Sequence, residues 1–145
     1  MTIHSKIDFS RRLNLALAGV AVALGLAGCA SMNDPAQAVT LLEPADGASV
    51  SSPFKVRFGI KGMSVAEAGE ILANSGHHHL LINQAPIAKG ESVPFSDQHL
   101  HFGKGQTEAE VKLAPGTYKL TAQFANGAHQ SYGAGMSRTI TVTVK

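Results

Sequence analysis

The residues best equipped for chemistry in this sequence are histidines. His77, His78 and His79 stand in a row within SGHHHLLIN, His99 and His101 form a His-Leu-His pair, and His129 lies in the glycine-rich stretch NGAHQSYGAGMS. Imidazole nitrogen suits zinc, copper and nickel, whereas hard cations prefer oxygen. In a strand, side chains alternate between faces, so His77 and His79 share one face and His78 points to the other. Residues i and i+2 lie roughly 6.5–7 Å apart along a strand. Two imidazoles at that spacing can converge on one ion whose nitrogen ligands sit about 2.0–2.1 Å away. His99 and His101 repeat the spacing. If the two segments lie side by side, four imidazoles meet and His129 supplies a fifth. The candidate metal ligands are therefore His77, His79, His99, His101 and His129, with copper or zinc as the candidate ion. Met136 and Met63 are soft ligands that copper accepts, but their spacing does not single them out.

A structural alternative stands beside this. Histidines on the wet face of a strand cost little, and His78 shares a face with Leu80 and Ile82 as a half-buried core histidine. A carboxylate such as Asp97, Glu108 or Glu110 has the chemistry to orient an imidazole. Glu108 and Glu110, however, alternate with Ala109 and Val111 as the wet side of a strand does. No Gly-x-Ser-x-Gly elbow occurs. GKGQTE (103–108) lacks both the phosphate-loop frame and a following helix, and it reads as a tight turn that opens a strand. No catalytic constellation emerges, and an enzyme is not expected.

The amino terminus indicates where the chain works. Lys6, Arg11 and Arg12 precede an apolar stretch from Leu13 to Ala27, and Leu26-Ala27-Gly28-Cys29 follows. A charged start, an apolar run and small residues at a cleavage point make a secretory signal peptide. The run is too short for a transmembrane span of about 20 residues. Leu-Ala-Gly-Cys resembles a bacterial lipobox, which implies cleavage before Cys29 and lipidation of its thiol. Ala30 in place of an aspartate favours the periplasmic face of the outer membrane. The expected organisation is a signal peptide at 1–28, a lipidated tether at 29–37 and one domain at 38–145. Removing residues 1–28 takes three of the twelve basic and one of the ten acidic side chains, leaving nine of each. That balance excludes a basic nucleic-acid footprint. Cys29 is the single cysteine, so internal disulfides and Cys-x-x-Cys metal sites are excluded as well.

The elements that must position the histidines read as short strands. VTLLEP looks like a first strand. In PFKVRFGIKG, Phe54, Val56, Phe58 and Ile60 alternate with polar or small residues, the pattern of a strand with one buried face. HHHLLIN is a strand bounded by Gly76. VKLAPGTYKLTAQFA reads as a hairpin turning at Pro115-Gly116, with Tyr118, Leu120, Ala122 and Phe124 on one face. RTITVTVK closes the domain with Ile140, Val142 and Val144 inward. A helical turn is possible around Val65 to Leu72, although Gly69 and Gly76 weaken it. Short alternating strands separated by turn signals predict an all-β fold, an immunoglobulin-like antiparallel β-sandwich without tryptophan or disulfide.

The segments SGHHHLLIN, HLHFGKGQTEAEVKLAPGTYKL and MSRTITVTV resemble an uncharacterised family of exported, histidine-rich bacterial β-domains. The likeness spans Val39 to Lys145, and its motifs are Gly-His-His-His-Leu-Leu and His-Phe-Gly-x-Gly-Gln-Thr-Glu. It implies a periplasmic or lipid-anchored β-domain and supplies no activity. The short opening LEPADGASVSSPFKVRF is similar to exported copper-resistance β-sandwiches. The loop before the last strand departs from the family pattern: Tyr132 stands where a histidine is expected, and Asn126 replaces an acid. The leading expectation is a lipid-anchored module that binds copper or zinc through paired histidines. The other is a structural or protein-binding domain of the cell envelope whose histidines only hydrogen-bond.

Overall fold

The computed structural model describes residues 37–145, so the expected signal peptide, Cys29 and nearly all of the tether lie outside the described residues. Nine strands form: β1 (Ala38–Glu43), β2 (Ser49–Val50), β3 (Phe54–Lys61), β4 (Ser64–Val65), β5 (Ser75–Ile82), β6 (His99–His101), β7 (Glu108–Val111), β8 (Gly116–Ala125) and β9 (Ser137–Val144), with one 3-10 turn at Ala134–Met136. Period-two sequence decides which way each strand faces. Phe54, Val56 and Phe58 of β3 are buried while Lys55 and Arg57 are exposed. Ile140, Val142 and Val144 of β9 are buried while the intervening threonines are exposed.

The strands assemble into two sheets. One has the order β1-β3-β7, and the other β2-β9-β8-β5-β4 with β6 also paired to β5. The long ladders are antiparallel, and the two-residue strands β2 and β4 run parallel to β9 and β5. The core lies between the sheets. Val39, Phe54, Val56, Phe58 and Val111 from one meet Leu80, Ile82, Leu120, Phe124, Ile140 and Val142 from the other. Each such burial favours folding by about 1.5–3 kcal/mol relative to exposure. The fold is all-β, two antiparallel layers packed face to face, the sandwich class expected from the alternation.

Three local expectations change. The stretch around Pro115-Gly116 is not a hairpin, because β7 pairs with β3 whereas β8 pairs with β5 and β9. The chain crosses between sheets there, and Leu113 N donates to Ser52 Oγ at 3.1 Å on the way. Pro-Gly turn chemistry fixes a reversal of direction, but it is silent on which sheet receives the next strand. No helix forms over 66–74. Ala66, Ala68 and Gly69 instead donate their N–H groups to Gly76, Gly103 and Gly127 carbonyls. Finally, the outer face of β5 is dry: every residue from Ser75 to Ile82 is buried. The segments 84–93 and 129–136 lie over it. Gln123 Oε1 accepts from Ile87 N at 3.1 Å, and its Nε2 donates to the Gly133 and Met136 carbonyls, each at 3.1 Å. Ser131 Oγ donates to Ile87 O at 2.9 Å.

Candidate metal centre

Strand register brings the first histidines together. In the β5–β6 ladder His79 lies opposite His101, and His77 sits two residues before His79 on the same face. Directly opposed residues have Cβ atoms about 4.5–5.5 Å apart, within reach of two imidazoles. His129 arrives from a tight loop. Asn126 Oδ1 accepts from the Ala128 and Gln130 N–H groups at 3.0 Å each, and His129 N donates to Asn126 O at 2.9 Å. This closure holds His129 at φ 64°, a left-handed conformation uncommon outside glycine. Its carbonyl accepts from Val93 N at 2.9 Å, which ties the loop to the covering segment.

The four rings present the same atom to one another. His79 Nε2 is 3.0 Å from His77 Nε2, His77 Nε2 is 3.2 Å from His101 Nε2, and His101 Nε2 is 3.0 Å from His129 Nε2. A neutral imidazole nitrogen carries either one proton or one lone pair. His77 Nε2 and His101 Nε2 each have two such neighbours, so the three contacts cannot all be ordinary hydrogen bonds. Nitrogens bound to one ion at about 2.0–2.1 Å with tetrahedral angles stand about 3.3 Å apart, close to the observed separations. The nitrogens of His77, His101 and His129 all lie within 4.8 Å of one another, near enough to hold one ion, and His79 does not join that group.

The surroundings keep His77, His79 and His101 neutral. Burial, then the neighbouring His101 and His129 rings, push His77 down to about 4. Burial, then His77, His101, His129 and His78, push His79 down to about 2. His101 is lowered too, by burial and then by His129. At neutral pH the lone pairs of these three are therefore free for a cation rather than taken by protons. His77 and His79 are fully buried, whereas His101 and His129 are only partly covered, so the group opens at that edge. Phe95, 67% exposed, stands there with its ring 5.3 Å from His101 and 5.1 Å from His129. Nothing in the local pattern marks this residue's place, because VPFSD has no strand period. Among the described residues the Nδ1 atoms of His77 and His79 have no hydrogen-bond partner, so the acceptor that usually orients a ligating histidine is not supplied there.

Residues 56–145 match the profile of DUF4399, a domain of unknown function. The chain belongs to the DUF4399 family. No curated protein and no solved structure matched it. The family is the uncharacterised kind that the histidine motifs implied, and it brings no activity.

Within this DUF4399 domain the remaining histidines part company with the group. His99 shares a face with His101, but it lies opposite Leu81 rather than a histidine, and its Nδ1 is 2.8 Å from Ser96 Oγ. The His-x-His spacing of β6 thus carries one ring to the group and the other past it. His78 points into the core, stacked on Phe58 at 4.9 Å and edge-on to Phe124 at 5.0 Å. It is fully rather than half buried, and neither ring nitrogen has a partner. Met136 lies in the apolar core and Met63 packs against it. The two departures in the last loop have structural roles. Tyr132 Oη donates to Ser75 O at 2.7 Å. Asn126 Nδ2 donates to Gln130 Oε1 at 3.0 Å, a bond that an aspartate could not make.

Proposed function

We propose that this domain is a binding module for one transition-metal ion, copper or zinc, held by imidazoles at the edge of the larger sheet. The observation that carries this reading is the run of four Nε2 atoms at 3.0–3.2 Å, more contacts than their protons and lone pairs can satisfy without a cation. All-imidazole donation fits copper and zinc, with copper the tighter by the usual affinity order. The lipobox-like Leu-Ala-Gly-Cys supports a module anchored through Cys29 at the periplasmic face of the outer membrane.

Isothermal titration of untagged residues 30–145 with Cu²⁺ and Zn²⁺ tests the site, with the His101→Gln/His129→Gln double variant alongside. Those two rings are partly exposed, so the variant should still fold. The expected result is one ion per chain, with affinity falling more than about 100-fold in the variant. Weak binding equal in both proteins would leave the histidines as a structural cluster and favour an envelope protein-binding role. The anchor has its own test. Cys29→Ser should move the protein from the membrane fraction to the soluble fraction, and an unchanged distribution would overturn it.

A further inference from the structure

The donor set has no negative charge. His77, His101 and His129 are all neutral ligands, and no carboxylate joins them among the described residues. Among the described residues, the hydrogen-bonding contacts of their Nε2 atoms are with one another and with His79. A divalent ion placed here would keep its full charge against two completely buried rings and the apolar ring of Phe95. The cost of a buried charge rises with the square of that charge, so one added negative ligand removes most of it.

The donor count points the same way. Zinc and copper take four ligands or more in such sites, and three protein ligands leave a position for an exogenous one. His79 is the internal candidate for the fourth place, but a tetrahedral ion needs every pair of ligands near 3.3 Å. His79 touches His77 and stays outside the mutually close group. The partly exposed edge between His101 and His129 is where a ligand can enter, and Phe95 walls that opening on one side.

We infer that a divalent ion held by His77, His101 and His129 takes its fourth ligand from outside the chain, a small monodentate anion of the carboxylate or halide type, entering between His101 and His129 beside Phe95. This inference rests on the metal-binding reading above. His79, whose contact is with the ligating nitrogen of His77, then stands beside the ion without ligating it.

The experiment loads the full-length protein, and separately its His79→Gln variant, with one equivalent of Cu²⁺ and titrates each with azide while recording the absorption spectrum. Acetate and chloride serve as competitors. Both proteins should develop a saturable azide-to-copper charge-transfer band. Acetate or chloride should reverse it, and the azide affinities should agree within about twofold. A copper-loaded wild type that ignores azide overturns the inference while the metal site stands. A response confined to His79→Gln overturns it too, since His79 would then fill the fourth position. Failure of the wild type to take up copper overturns the metal-binding reading itself, and this inference with it.

Discussion

His78 shows how much a single side chain can cost. Its two ring nitrogens are buried without partners between Phe58 and Phe124. An unsatisfied buried polar group costs about 1–3 kcal/mol, and an aromatic stack returns about 0.5–1.5 kcal/mol. His78→Leu, close in volume, should therefore leave stability at pH 7 unchanged or raise it by about 1 kcal/mol, as urea denaturation would show, with metal binding intact. Gly103 is a converse case. A Cβ there would run into the ring of His101, a side chain that can turn aside. Gly103→Ala is expected to cost little stability and to weaken metal binding at least about tenfold, a split that titration calorimetry paired with thermal melts would resolve. At this scale the sequence offered candidate ligands, because types and i, i+2 spacing are local. It did not show that His99 falls opposite Leu81, because register is a property of two segments. Phe95 was invisible for the same reason.

Strand β5 carries the site on one face and His78 on the other, so its titration follows from burial on both sides. His77 and His78 are pushed down to about 4 and His79 to about 2, whereas an unfolded histidine titrates near 6.5. Above about pH 6.5 neither state is protonated and these groups contribute nothing to the pH dependence. Below it the unfolded chain binds protons that the folded chain refuses, so stability falls as pH drops toward 4, by about 1.4 kcal/mol per group per pH unit. The urea midpoint should therefore decrease steeply between pH 6.5 and 4, and less steeply in His78→Leu. A flat profile would show that these rings accept protons in the folded state. Gly76 is the second residue of the same strand, and a Cβ there would strike the Ala125 carbonyl, which cannot rotate away. Gly76→Ala should destabilise by about 1–3 kcal/mol in the same assay. Period-two alternation made β3, β8 and β9 legible. It failed for β5, whose polar histidines suggested a wet face, because segments distant in sequence cover that face. It failed again at Pro115-Gly116, where a turn between sheets has the same local chemistry as a hairpin.

Across the molecule, the group draws on β5, β6 and the loop that holds His129. A ligand that binds only the folded state stabilises all three by mass action. At a free concentration of 100 times the dissociation constant the gain is about 2.7 kcal/mol. The melting temperature should rise with zinc or copper in wild type and stay fixed in His101→Gln/His129→Gln, as differential scanning calorimetry would record. The sandwich class was readable from alternation and turn spacing. The three elements that meet at the site were not, because their meeting depends on the order of strands.

The larger sheet ends in strands of two or three residues, β2, β4 and β6. Where β2 leaves the side of β9 uncovered, the 46–48 turn takes over: Thr141 N donates to Asp46 Oδ1 at 2.8 Å, and Thr141 O accepts from Gly47 N at 2.7 Å. Little continuous backbone is left there for a stranger to zip onto. An edge this short offers a neighbouring copy few rungs to pair with, so strand exchange through the larger sheet is disfavoured even where copies crowd together.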